Sequence, residues 1–178
     1  MERLGIGVDR KKLEELRNFF ESEESSSIKS AYQAVGHEFN VASPKQLQAV
    51  LFEELKLPKT KRIKTGFSTD AESLEWLFST TKHPVLEALL RIREVSKLRT
   101  TIEGLLSAIA SDERIHTTFQ QTTTATGRLS STEPNLQNIP IRTERGQRVR
   151  DLFVAGGDDR VLLSADYSQI ELRVIASM

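Results

Sequence analysis

The stretch Val161-Leu162-Leu163-Ser164-Ala165-Asp166-Tyr167-Ser168-Gln169-Ile170-Glu171-Leu172-Arg173 decides how the chain is read. Val161 to Ala165 is a short apolar run of the kind that forms a strand buried on both faces. After Tyr167 the period changes. Ile170, Val174 and Met178 recur every four residues, with Ile175 beside Val174, as on one face of a helix. Asp166 is therefore expected where a buried strand ends and a helix begins. A carboxylate there can cap the helix. It can also serve as a metal ligand, because such an edge holds a charge rigidly while leaving it open to solvent.

The 178 residues, 38% hydrophobic and 28% charged, describe a globular protein with enough chain for one domain or two small ones. No run of about 18 apolar residues is present, so no membrane span is expected. Glu2 and Arg3 lead into no apolar segment, so no secretory signal is expected either. The absence of cysteine excludes disulfides, thiolate chemistry and cysteine-bound zinc, and agrees with a reducing compartment. The formal net charge is zero, but it is unevenly spread. Lys59, Lys61, Arg62 and Lys64 fall within six residues that contain no acid, and beyond Leu105 every cation is arginine. Arg142, Arg145, Arg148 and Arg150 form a cluster whose planar forks suit phosphates and base edges, or simply a solvated face.

Upstream the pattern is helical. Asp9 reads as an N-cap, and Leu13, Leu16, Phe20, Ile28, Ala31 and Val35 keep one stripe as far as Gly36, in one long helix or two collinear ones. Ser43-Pro44-Lys45-Gln46 reads as a capping box that opens a helix with Leu47, Val50, Leu51 and Leu55 on one face. The spacing predicts a second capping box from Thr69 to Glu72, then a helix from Pro84 whose stripe reaches Ile109. After Asp112 the composition turns β-like. Ile115 to Thr123 reads as a strand, and Val149–Val154 and Val161–Ala165 read as two strands around a turn at Gly156-Gly157-Asp158-Asp159.

Between them, residues 124–140 have no periodicity and many side-chain donors. Every base pair presents an acceptor, purine N3 or pyrimidine O2, at nearly fixed places in the minor groove. Arg128, Gln137 and Asn138 are the donors that would test for pairing without reading sequence, with serines and threonines nearby for phosphates. An ordinary polar loop would have the same composition.

Two stretches carry a resemblance. Thr124-Ala125-Thr126-Gly127-Arg128-Leu129-Ser130-Ser131, followed by Pro134-Asn135-Leu136-Gln137-Asn138-Ile139-Pro140, resembles the start of the palm in family A DNA polymerases of the bacterial DNA polymerase I type. Asp166 to Arg173 resembles that family's motif A. Phe39-Asn40, Ser43 to Leu47 and Lys64-Thr65-Gly66 are similar to its thumb, and Arg114 to Thr117 to the strand entering the palm. The resemblance implies an α+β fold: a helical thumb over 1–110 with a basic tip at 59–66, then the first part of an antiparallel palm over 111–178. The palm part would hold a primer-contact stretch at 124–142 and motif A at 163–173.

It also implies roles. Asp166 would be one of two carboxylates holding two Mg²⁺ ions, with the Tyr167 backbone carbonyl as a further ligand, for in-line displacement of pyrophosphate by a primer 3′-hydroxyl. Glu171 would exclude a 2′-hydroxyl from the incoming nucleotide, with Ser168, Gln169 and Ile170 lining the same pocket. Arg128, Asn135, Gln137, Asn138 and Arg142 would contact the primer-template near its terminus, and Lys59, Lys61, Arg62 and Lys64 the duplex phosphates. The implied partners are primer-template DNA and deoxyribonucleoside triphosphates, for a monomer in the cytoplasm, acting in DNA replication and repair.

The departures are informative. The family's His-Asp-Glu motif, which holds the second carboxylate, has no counterpart, and neither does its nucleotide-binding fingers helix. His37, His83 and His116 are expected to be structural. The 178-residue chain is therefore expected not to polymerise by itself. A non-catalytic DNA-binding module built from thumb and palm is the alternative, and a single-subunit RNA polymerase a more distant one.

Overall fold

The computed structural model describes residues 2–140, 143–156 and 161–178. Its architecture is α+β, with long helices packed beside small antiparallel sheets. Helix α1 (Arg10–Val35) is a single helix, and both ends are closed as the sequence predicts. The Asp9 side chain accepts the Lys12 N–H at 3.0 Å, and Gly36, at φ 93°, donates its N–H to the Tyr32 carbonyl. The serines inside it do not break it. Ser27 and Ser30 return their hydroxyls to the carbonyls of Glu23 and Ser26, four residues back.

Helix α4 (Pro84–Ser107) lies antiparallel to α1, and their stripes form the spine of two apolar clusters. Leu13, Leu16 and Phe20 pack with Val95, Leu98, Ile102 and Leu105 in one. Ala31 packs with Val85, Leu86 and Leu89 in the other, joined there by helices α2 (Pro44–Gln48) and α3 (Ala71–Thr81). Leu13 and Phe20 are fully buried, each stabilising the fold by about 1.5–3 kcal/mol relative to exposure.

Where the sequence suggests one α-helix after Ser43, the chain widens into a π-helix over Ala49–Glu54, with the Leu55 N–H reaching back to the Val50 carbonyl. The wider turn lets three consecutive residues, Val50, Leu51 and Phe52, face the core together. The capping box is only half formed. Ser43 accepts the Gln46 N–H, but Gln46 reaches past it to the Asn40 N–H at 2.7 Å. Asp70, rather than Thr69, caps α3, accepting the Ser73 N–H at 2.8 Å, while Thr69 is buried. The carboxylate also pairs with Lys61, which the threonine hydroxyl cannot do.

The main sheet uses a strand that the sequence reading missed. β1 (Ile6–Val8) lies between β4 (Arg114–Ile115) and β7 (Phe153–Val154), antiparallel to both. Gly7 is opposite Arg114 on one side and Val154 on the other, and a Cβ there would come within 2.9 Å of the Val154 carbonyl. Strands β2 (Arg62–Ile63) and β3 (Gly66–Phe67) make a second, two-stranded sheet. A third joins β5 (Thr118–Gln120) to β6 (Ser130–Thr132), with Phe119 opposite Ser131. The expected strand from Ile115 to Thr123 is thus broken at His116–Thr117, where side chains take over the bonding.

Two further expectations are corrected. Val149 belongs to helix α5 (Glu144–Arg150) and is fully buried; only Phe153 and Val154 are strand. The apolar positions 149, 152 and 153 fit helical spacing as well as a strand, an ambiguity inherent in short runs. Val161 to Ala165 is not a strand. It is irregular, with Val161 89% and Leu163 91% exposed, because no described strand lies beside it to pair with. Of the turn expected at Gly156 to Asp159, residues 157–159 lie outside the described residues. The histidines are structural as expected. His37 bonds Glu54, His83 caps α4, and His116 joins Asp112 to the Glu2 carbonyl.

Candidate nucleic-acid interface and metal-binding edge

Helix α6 (Ile170–Ser177) begins three residues after Tyr167, and its N-cap position is held by Gln169 in left-handed backbone with no side-chain capping bond. Asp166 therefore does not cap it. Asp166 and Tyr167 lie in the exposed, irregular segment ahead of the helix. Ser168 accepts the Arg173 Nε–H on its carbonyl at 3.2 Å, tying the start of the motif to the first turn of α6. Ile170 and Glu171 are exposed on that turn. The oxygen set, a carboxylate with no partner among the described residues and an adjoining backbone carbonyl, is chemically suited to Mg²⁺. Among the described residues no three His, Asp or Glu side chains converge to hold a metal, so the set is incomplete.

The donor-rich stretch is more ordered than its composition suggests. Thr124 and Gly127 form a turn, Gly127 taking φ 73°, that leaves Arg128 exposed next to β6. The Gln137 amide is used internally: Oε1 accepts the Ser131 N–H at 3.2 Å and Nε2 donates to the Leu129 carbonyl at 3.0 Å. Asn135 accepts the Gln137 N–H on Oδ1, and its own NH₂ has no partner among the described residues. Asn138 is exposed and lines a cleft of about 700 Å³ with Ile139, Pro140, Arg150 and Leu162. The donor-rich stretch and the segment leading to Asp166 thus border one cleft. Arg142 lies outside the described residues.

The basic loop is a hairpin. Gly66 has φ +127°, and a Cβ there would sit 2.0 Å from Gln48 Oε1, the atom that accepts the Phe67 N–H at 3.2 Å. The left-handed backbone favours glycine here, and any larger residue would also have to push the Gln48 side chain of α2 aside. The four cations divide in two. Lys61 pairs with Asp70 at 2.9 Å, and Lys59 lies over the Phe67 ring at 5.2 Å. Arg62 and Lys64 are exposed with no ion-pair partner among the described residues.

The arginine cluster also divides. Arg145 holds Glu23 through two bonds and Glu94 through a third, and Arg148 lies 4.5 Å over the Phe19 ring, so both join α5 to the long helices. Two cations on α4 escaped the sequence reading. Arg93 and Lys97 line two neighbouring clefts and have no ion-pair partner among the described residues, whereas Arg91, Arg99 and Arg145 are all matched by glutamates. Burial pulls the Arg93 guanidinium below its ordinary value, against the opposing charge of Asp70. Their signal in the sequence is two like charges at four-residue spacing, an arrangement that costs helix stability.

A family model described as DNA polymerase family A matches residues 10–178. The chain belongs to DNA polymerase family A. Among curated members, DNA polymerase I of Mycobacterium tuberculosis is 56% identical over 178 residues, which is 100% of this chain and 20% of that protein. DNA polymerase I of Bacillus caldotenax is 48% identical over 179 residues, covering 99% of this chain and 20% of that protein. A solved family A structure, the POL domain of Pol1 from M. smegmatis in complex with DNA primer-template and dNTP, matches 97% of this chain with a TM-score of 0.88 and 54% identity. The chain spans about a fifth of the length of these curated relatives and 30% of the solved chain. No described helix is long and apolar enough to cross a membrane.

Proposed function

We propose that the chain is the thumb and the start of the palm of a DNA-directed DNA polymerase, which adds deoxyribonucleotides to a primer 3′-hydroxyl in DNA replication and repair. The observation that carries this reading is the likeness over 97% of the chain to a polymerase domain bound to primer-template and dNTP. Residues 1–110 form the thumb and 111–178 the palm portion. Arg62 and Lys64 at the tip, with Arg93 and Lys97 on α4, meet duplex phosphates; Lys59 and Lys61 add charge from positions already braced by Phe67 and Asp70. Arg128, Asn135, Asn138 and Arg142 test the minor groove at the primer terminus. Gln137, whose amide atoms both bond within the loop, supports this set and offers only its remaining N–H.

Asp166 and the Tyr167 carbonyl would hold Mg²⁺, which supplies charge neutralisation for the phosphoryl oxygens and acidifies the attacking hydroxyl. Glu171 stands against the sugar of the incoming nucleotide and rejects a 2′-hydroxyl, with Ser168, Gln169 and Ile170 around it. The protein works as a monomer in the bacterial cytoplasm.

One carboxylate cannot fix two ions, so the 178 residues alone do not polymerise. The exposure of Val161, Leu163, Val174 and Ile175 supports the view that further chain covers this face in the working enzyme. The test is template-directed incorporation of a labelled deoxynucleotide by two preparations, the polypeptide that continues through the remaining palm and fingers and the 178-residue chain. Incorporation by the longer one alone is expected. Incorporation by the short chain would refute its inactivity, and duplex binding without incorporation by either would favour the non-catalytic module.

A further inference from the structure

Thr117 is 7% exposed and Ser131 1%, so neither can touch a nucleic acid, yet their hydroxyls meet at the centre of the donor-rich stretch. Thr117 Oγ1 lies 2.6 Å from Ser131 Oγ, 3.0 Å from the Thr132 carbonyl and 2.9 Å from the Pro134 carbonyl. Ser131 Oγ also accepts the Leu136 N–H at 3.1 Å and lies 3.2 Å from the Pro134 carbonyl. A hydroxyl has one proton and two lone pairs, the carbonyls only accept and the amide only donates. These limits allow two relays: Leu136 N–H to Ser131 Oγ, followed either by Ser131 O–H to Thr117 Oγ1 and Thr117 O–H to the Pro134 carbonyl, or by Thr117 O–H to Ser131 Oγ and Ser131 O–H to the Pro134 carbonyl.

The relay grips the backbone on both sides of Asn135. Gln137 extends it by bonding the Ser131 N–H and the Leu129 carbonyl, next to Arg128. The segments on either side of β6, which carry all the described minor-groove donors, are thus held to one buried pair of hydroxyls.

We propose that Thr117, acting through Ser131, is a positioning residue for recognition of the primer terminus. It holds the turn bearing Asn135, Gln137 and Asn138 in fixed register with Arg128, so that these groups meet the duplex as one rigid unit. The inference rests on the primer-binding role proposed above for Arg128 and its neighbours. Displacement of such groups by about 1 Å is enough to cost up to 10²-fold in rate. In Thr117→Val the Ser131 hydroxyl can turn to the Pro134 carbonyl, so the fold is retained and the loss is partial.

The experiment measures kcat/KM for extending a matched primer by the longer, complete polymerase polypeptide. It compares wild type, Thr117→Val, Thr117→Ser, Arg128→Ala and the Thr117→Val/Arg128→Ala double variant. Thr117→Val is expected to lower kcat/KM about tenfold, and Thr117→Ser, which keeps the hydroxyl, to recover to within about twofold of wild type. Arg128→Ala is expected to cost about fivefold less in the Thr117→Val background than in wild type, because the arginine there is already misaligned. Equal losses from Arg128→Ala in both backgrounds overturn the proposal, as does an unchanged kcat/KM in Thr117→Val. If Thr117→Val does not fold, Ser131→Ala removes the middle oxygen of the relay and is read by the same ratios. A wild-type polypeptide that extends no primer overturns the polymerase reading, and this inference with it.

Discussion

Replacing Arg145 with methionine tests how α5 is attached to the long helices. The guanidinium donates from Nε to Glu23 Oε2 at 3.0 Å, from Nη2 to Glu23 Oε1 at 3.3 Å, and from Nη1 to Glu94 Oε2 at 2.9 Å. It therefore joins α5 to both α1 and α4. Charge-assisted hydrogen bonds contribute about 1.5–3 kcal/mol when well shielded. Here the Arg145 and Glu23 side chains are 27% and 18% exposed, whereas Glu94 is 35% exposed. The Glu94 contact is therefore discounted to about 0.5 kcal/mol or less as a screened surface pair. The forked Glu23 contact lies between the surface and buried extremes, at about 1.5–2 kcal/mol. Arg145→Met should then destabilise the fold by roughly 2 kcal/mol, lowering the thermal midpoint by about 4–8 °C for a chain of this size.

A double-mutant cycle with Glu23→Gln, read by urea denaturation, should give a coupling of about 1–2 kcal/mol. Burial opposes ionisation of Glu23, but the bonds from Arg145 and Arg91 outweigh it and hold its carboxyl below the usual range. A depressed carboxylate contributes stability above its unfolded-state pKa and loses it as pH falls through the folded value. The gap between wild type and Arg145→Met should accordingly close below about pH 4. A coupling within about 0.3 kcal/mol of zero at neutral pH would refute the clamp.

Three other outcomes follow from the same geometry. Replacing Arg62 and Lys64 together with alanine should weaken duplex binding and make the dependence of log K on log salt shallower by roughly 1.8, about 0.9 for each cation; an unchanged slope would remove the hairpin from the interface. Gly66→Ala forces a Cβ onto Gln48 Oε1 at a φ of +127° and should cost about 1–3 kcal/mol in denaturation, most of it recovered when Gln48 is also shortened to alanine if the clash is the cause. Both ring nitrogens of His37 face acceptors, Glu54 and the Glu38 carbonyl, as do those of His116, the Glu2 carbonyl and Asp112. These bonds raise both imidazole pKa values. The stabilisation is complete below the unfolded value near pH 6.5 and is lost as pH rises through the raised folded values. The thermal midpoint should fall between about pH 6 and pH 8.5, less so in His37→Asn or His116→Asn and least in the double variant.

The helical half was legible because its signals are local. Asp9, Gly36, Ser43 and Pro84 each act within one turn of their own position, and the stripes on α1 and α4 are long enough to define a period. What escaped depended on distant partners. Ile6 to Val8 is a strand only because Arg114–Ile115 and Phe153–Val154 flank it, and nothing in three residues announces that. Val161 to Ala165 has the composition of a buried strand but no described neighbour to bury it. The motif stretches named the candidate residues, yet the bonding that divides them was invisible. Gln137 is braced within its loop, Lys61 is tied to Asp70, and Arg145 serves the fold. Arg93 and Lys97 were hidden by an apolar stripe that drew all attention on α4 to its buried face.

The central claim is that Asp166 supplies a metal-binding carboxylate to a family A polymerase active site. Its most direct test is single-turnover incorporation of one matched deoxynucleotide by the complete polypeptide in Mg²⁺, comparing wild type with Asp166→Asn. The substitution preserves shape and removes the charge. Incorporation is predicted to fall on the order of 10³-fold or more, with primer-template affinity retained. An Asp166→Asn enzyme within about tenfold of wild type would contradict the account.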